Sequence, residues 1–277
     1  MTATSRQSLT AVTPPRAEGE ARLSVGQSGG RTRIAGLRLA GSLKILFPRA
    51  AGDPLEAVTL NTAGGLTGGD RMRLTVEAGP GACLTVTSQA AERAYRAAGG
   101  AVARVDARIM AGPGARLHWL PQETILYDGA ALARRTSVVL TGDARFLGVE
   151  TLVFGRAAMG ERVSRLDLSD RWEIRRDGVL VAADAVRIAG DAAGLMARVG
   201  AGGGAGAVAT LFLVAPGAEG YLAALRAALG AGGGASLVRP GVMLARAVAA
   251  DSHLLRRALM PALEGLAGAA LPRVWRL

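Results

Sequence analysis

The chain has 277 residues, 50% of them hydrophobic, a formal net charge of +11 and one cysteine, Cys83. That size and apolar content suit a large folded core and exclude a disordered chain, while a lone thiol excludes an internal disulfide and a cysteine-built metal cage. The positive charge invites a nucleic-acid partner, but Lys44 is the only lysine, the arginines are spread along the chain, and ten aromatics offer little for base stacking.

Residues 1–20 read as a disordered tail, Ser/Thr-rich at its start and without the apolar segment of a signal peptide. Residues 21–277 read as a single β-rich domain. The first 50 residues carry eight basic side chains against Glu18 and Glu20, an excess of +6 that suits an acidic protein as well as a nucleic acid.

Strand-like alternation dominates from about residue 30 to 190. Met72, Leu74 and Val76 share one face and Arg71, Arg73, Thr75 and Glu77 the other. Ala103, Val105, Ala107 and Ile109 oppose Arg104, Asp106 and Arg108 in the same way. Residues 145–154 are apolar on both faces, as a doubly covered strand requires. Asp177-Gly178 is a hairpin turn between Trp172-containing and Val179-containing strands.

Gly79-Pro80-Gly81-Ala82 recurs as Gly112-Pro113-Gly114-Ala115 and, more loosely, as Gly142-Asp143-Ala144. Such a repeat suggests stacked strand layers, or else only that turns resemble one another in a Gly-rich chain. Residues 199–218 are uncharged but hold six glycines, so a loop entering a strand at 207–214 is expected, not a membrane helix. Leu222, Leu225 and Leu229 mark one helix. Asp251 or Ser252 caps a second, with Leu255, Leu259, Leu263 and Leu266 inward and Pro261 kinking or splitting it. The expected fold is mostly β, with solenoid-like strand layers and two small helices near the C-terminus, in a soluble cytoplasmic protein.

Catalytic inventory is poor. His118 lies in an apolar strand and His253 in a first helical turn, neither at metal-ligand spacing, and no Gly-x-Ser-x-Gly elbow occurs. Gly64-Gly65-Leu66-Thr67-Gly68-Gly69-Asp70 lacks the Lys-Ser/Thr of a phosphate loop and leads into a strand, not a helix. It is a glycine turn presenting Asp70, either purely structural or bordering a passage or partner surface. Glu150 shares its parity with Phe146, Leu152 and Phe154, so it must be paired, hydrated or metal-bound. Arg156 is a candidate partner. Glu123 marks a strand end. A hydrolase with an unrecognised site stands last among the readings.

Residues 61–70, Thr87-Ser88-Gln89-Ala90-Ala91-Glu92-Arg93-Ala94-Tyr95-Arg96, Leu120-Pro121-Gln122-Glu123-Thr124-Ile125-Leu126-Tyr127-Asp128-Gly129-Ala130, Gly155-Arg156-Ala157-Ala158-Met159-Gly160-Glu161 and Leu271-Pro272-Arg273-Val274-Trp275 resemble segments of the urease accessory protein UreD (UreH) family, in the same order. Arg93 departs from that pattern, which often has lysine there.

The resemblance implies a non-catalytic chaperone that binds apo-urease and recruits UreF and the GTPase UreG for nickel insertion, with no nucleic-acid or membrane partner. It holds no stable cofactor, and nickel ion would be a transient passenger through an internal tunnel. Scarcity of His and Cys suits transit, since carboxylates and water hold nickel more loosely. On this view Asp70 and Glu150 line the passage, with Glu92 and Glu161 as further acids, and Asp70→Ala leaves the fold intact while lowering urease activation. Gly64, Gly65, Gly68, Gly69, Tyr95 and Arg156 form the motif and partner surface. The competing class is a basic β-protein that binds nucleic acid.

Overall fold

The computed structural model describes residues 15–49, 53–156 and 159–276, which form two β-sheets packed face to face. The seven-stranded sheet contains β1 (Glu18–Ser28), β2 (Arg31–Gly41), β5 (Arg71–Ala78), β8 (Ala103–Ala111), β11 (Ala131–Leu140), β13 (Arg165–Arg176) and β14 (Val179–Asp191), in the order β14-β13-β11-β8-β5-β1-β2. The ten-stranded sheet contains β3 (Leu43–Leu46), β4 (Leu55–Asn61), β6 (Cys83–Ser88), β9 (Arg116–Leu120), β12 (Arg145–Phe154), β15 (Ala207–Val214), β16 (Gly233–Arg239) and β17 (Val242–Ala249). Its short strands β7 (Glu92–Ala94) and β10 (Thr124–Leu126) extend from β12.

The solenoid character lies in the middle of the chain. The connections β5 to β6, β8 to β9 and β11 to β12 each cross from one sheet to the other, and β5-β8-β11 and β6-β9-β12 pair in parallel. The repeated Gly/Ala segments are the corners of these coils, and they stack. The Arg116 amide donates to the Ala82 carbonyl and the Arg145 amide to the Ala115 carbonyl, both at 2.8 Å. Ala82, Ala115 and Ala144 are fully buried in this column, where larger side chains would force the coils apart.

Alternation fares as expected. Met72 and Val76 are buried while Arg71, Arg73 and Glu77 face solvent, and residues 146–153 of β12 are buried on both faces. One face of β12 meets the opposite sheet. The other meets the helices, where Leu147, Val149 and Val153 pack with Leu255, Leu259 and Leu263. Asp177 and Gly178 take φ of 48° and 80°, the left-handed pair of a tight hairpin.

Three α-helices occur among the described residues: α1 (Ala192–Ala197), α2 (Leu222–Leu229) and α3 (Ser252–Ala267). Asp251 caps α3, its side chain accepting the Leu254 amide at 2.8 Å. Pro261 does not split α3; it lies on the exposed face, where water can satisfy the carbonyl it leaves free. Helix α1 was not expected. Of the expected N-terminal tail, residues 1–14 lie outside the described residues, and β1 starts at Glu18. No helix is long and apolar enough to cross a membrane among the described residues.

Candidate functional site

Strands β8, β11 and β13 stand in parallel register, which sets Val105, Arg134 and Asp170 on one rung facing the opposite sheet. Arg134 and Asp170 form a two-pronged pair, Nε to Oδ1 at 3.0 Å and Nη2 to Oδ2 at 2.6 Å. Nη1 donates to Thr124 Oγ1 at 2.9 Å. Across the gap, β12 turns Phe146, Gly148, Glu150 and Leu152 inward, and Glu150 Oε2 lies 2.9 Å from Arg134 Nη1. No donor is aligned on that oxygen, so the contact is coulombic and not a directed hydrogen bond.

Burial alone would lower the Arg134 pKa, but Asp170 and Glu150 more than offset it, so the guanidinium stays charged. Burial pushes the Glu150 carboxyl up to about 7; Arg134 pulls it down and Asp170 adds to the rise. Two carboxylates compete for one cation, and Asp170 holds the better geometry.

Glu92 approaches the same place from β7. It accepts from Asn61 Nδ2 and from the Arg93 amide, both at 3.1 Å, and burial raises its pKa despite these bonds. Glu92, Arg134 and Glu150 line a cavity of about 120 Å³ between the sheets, with Thr136, Trp119 and Gln122. Thr136 Oγ1, Trp119 Nε1, Gln122 Nε2 and Glu150 Oε2 are buried there without a hydrogen-bond partner. Orphaned polar atoms around that much space call for water or a polar passenger. Among the described residues no group of three or more His, Cys, Asp or Glu side chains is placed to hold a metal ion.

The glycine motif forms a separate structure. Asp70 is 3% exposed and turns back on its own loop: Oδ2 accepts the Thr67 amide at 2.7 Å and Oδ1 the Ala17 amide at 2.8 Å. Asp70 therefore anchors the turn and the approach to β1. Gly65 and Gly68 permit close packing, since a Cβ would come within 2.4 Å of the Tyr95 ring at the first and 2.3 Å of the Ala101 carbonyl at the second. Gly64 accepts from the Tyr95 hydroxyl at 3.2 Å, and Gly69 turns the chain at φ 96°.

Tyr95 meets Tyr127 edge-on at 4.9 Å, and Arg156 stacks 4.6 Å over Tyr127. Arg156 does not reach Glu150. Its Nε donates to Glu161 Oε2 at 2.8 Å, and Glu161 also accepts the Asp128 amide. Ala157 and Ala158 of this motif lie outside the described residues. Asp128, at the centre of the cluster, accepts from Arg165 and Ser164, which hold its pKa down at about 2.

Of the four acids singled out from the sequence, the structure brings Glu92 and Glu150 to one cavity and leaves Asp70 and Glu161 in outlying loops. Arg134 and Asp170 were not singled out. Both carry inward parity, Arg134 with Leu132, Val138 and Leu140, Asp170 with Leu168, Trp172 and Ile174, and that signal would have found them. The C-terminal Leu-Pro-Arg-Val-Trp segment packs behind the connection from β9 to β10, whose Pro121 and Gln122 line the cavity. Trp275 Nε1 donates to the Leu120 carbonyl at 3.0 Å, and Arg256 stacks on Trp275 while binding Gln122 and Glu123.

A model of the UreD urease accessory protein family matches residues 17–276. The chain is 46% identical over 271 residues to a urease accessory protein UreD of Roseobacter denitrificans, covering 98% of this chain and 99% of that one. It is 48% identical over 269 residues to a urease accessory protein UreD of Rhizobium etli, with 97% and 98% covered. A Methylobacterium sp. urease accessory protein UreD is 45% identical over 273 residues, with 95% and 96% covered.

Proposed function

Because the chain belongs to the UreD urease accessory protein family, and so serves urease maturation as a non-catalytic accessory protein, we propose that it escorts nickel ion into apo-urease. On this reading it works in the cytoplasm, together with UreF-like and UreG-like partners. The cavity at Glu92, Arg134 and Glu150 is a station on the ion's route. The observation that carries this reading is a polar, incompletely satisfied cavity inside an otherwise apolar sandwich.

The chemistry favours passage over storage. Glu92 and Glu150 offer oxygen ligands with raised proton affinity, and a hydrated nickel ion would displace those protons. Arg134, held by Asp170, keeps a positive charge beside them and prevents the acids from forming a deep trap. An ion in such surroundings keeps several waters and is released readily. No stable cofactor belongs to this scheme.

The test is urease matured in vitro or in cells with a Glu92→Gln/Glu150→Gln double variant that folds and assembles normally. Lower nickel content and activity of the urease are expected. Normal nickel content with the double variant overturns the reading.

A further inference from the structure

A second polar site lies on the outer face of the ten-stranded sheet, away from the Arg134 cavity. In the parallel register of β9 and β12, Arg116 stands beside Arg145 and His118 beside Leu147. Paired strands are ~4.8 Å apart and alternate residues share a face, so two guanidiniums and an imidazole converge on one opening. They line a cavity of about 270 Å³ with Tyr221, Leu213 and Leu266.

No acidic side chain among the described residues lines this cavity. Among the described residues, neither Arg116 nor Arg145 forms an ion pair. Along the row through His118 the first acid is Glu56, beyond Thr85 on β4. His118 is 7% exposed with Nδ1 3.4 Å from Thr85 Oγ1, which leaves Nε2 for a ligand. Burial, Arg116 and Arg145 hold its pKa down at about 4. The imidazole is therefore neutral at neutral pH, and the cavity carries two uncompensated positive charges.

We infer that this cavity binds an organic carboxylate, with Arg116, Arg145 and His118 taking the anionic head and Leu147, Leu213 and Leu266 the apolar stem. Guanidiniums match the planar, two-oxygen head of a carboxylate. The C-terminal end of α3, at Ala267 and Gly268, borders the opening. That end carries only about half a negative charge against the two guanidiniums, and the apolar wall of Leu147, Leu213 and Leu266, which inorganic phosphate has no stem to fill, favours an organic carboxylate over phosphate. A free small acid and an acidic residue of a docking protein segment offer the same head and stem.

The test follows the histidine resonances of the full-length protein by NMR, with butyrate in one arm and a capped Leu-Leu-Glu-Leu peptide in the other. Exposed His253 serves as the internal reference. Binding is expected to shift the His118 resonances, raise its pKa and leave His253 unmoved. Arg116→Gln and Arg145→Gln should each weaken it about tenfold or more, and Arg145→Lys less. A response to butyrate assigns the site to free acids; a response to the peptide alone assigns it to a docking segment. The inference fails if neither probe moves His118, if phosphate binds as well as butyrate, or if binding survives loss of both arginines in folded protein.

Discussion

Arg134 and Asp170 are in-register neighbours on β11 and β13, and Asp170 takes both the Nε and Nη2 donors of the guanidinium. Glu150 is left with a coulombic contact to Nη1 and no aligned donor. The three groups should therefore respond unequally. Arg134→Met strands two buried carboxylates and is expected to cost about 3–5 kcal/mol. Glu150→Gln removes a poorly satisfied charge and should cost no more than about 1 kcal/mol. Urea unfolding of the two variants measures the difference, and equal losses would show that Glu150 is a full partner in the pair.

Two buried groups bend the pH dependence of stability in opposite directions. Glu150 rises from 4.5 to about 7 on folding, so the folded state binds its proton more tightly and stability falls as pH rises between those values. His118 drops from 6.5 to about 4, so the unfolded state takes up its proton first and stability falls as pH drops through that window. The two slopes oppose each other between about pH 4.5 and 6.5. Glu150→Gln should expose the acid-side loss due to His118, and His118→Gln should expose the alkaline-side loss due to Glu150. Chemical denaturation at several pH values reads both, and identical profiles for wild type and variants would refute the assignment.

Asp70 joins two segments through backbone amides, accepting from Thr67 within its loop and from Ala17 before β1. Asp70→Ala leaves both amides without their partner and is expected to cost about 1–3 kcal/mol. Asp70→Asn keeps one acceptor and should cost less. If urease activation falls in step with stability across the two variants, Asp70 acts by holding the loop. A loss of nickel delivery in Asp70→Asn at unchanged thermal stability would instead mark it as a contact on the ion's route.

How much of this was legible beforehand depended on the range of the interaction. Alternation revealed the faces of β5, β8 and β12, because burial of one side is a local pattern. The Asp251 cap and the leucine stripe revealed α3 for the same reason. Helix α1, six residues long, was too short to show a period. The Gly/Ala repeat pointed to stacked coils, but only the hydrogen bonds between corners separate stacking from chance likeness. Glu150 was recognised as a buried acid needing a partner. Parity marked Arg134 as an inward-facing charge, but its meeting with Glu150 spans the gap between the two sheets and is set by a register that no local pattern encodes. Asp70 stood out for its glycines, and those glycines proved to serve the packing of Tyr95 and Ala101.

The C-terminal tryptophan offers a test of how the helical layer supports the cavity. Trp275 is 3% exposed, its indole donates to the Leu120 carbonyl, and its ring carries Arg256, which holds Gln122 and Glu123. Gln122 in turn lines the cavity at Glu150. Trp275→Phe keeps most of the packing and loses one hydrogen bond, so a stability loss of about 1 kcal/mol is expected. Trp275→Ala also opens a void and removes the platform under Arg256, at a cost of about 3–5 kcal/mol. If the cavity matters for urease maturation, Trp275→Phe should retain activation and Arg256→Ala should lose it, even though Arg256 is only partly buried and distant in sequence from Glu150. Full activation with folded Arg256→Ala would detach the helical layer from the cavity's role.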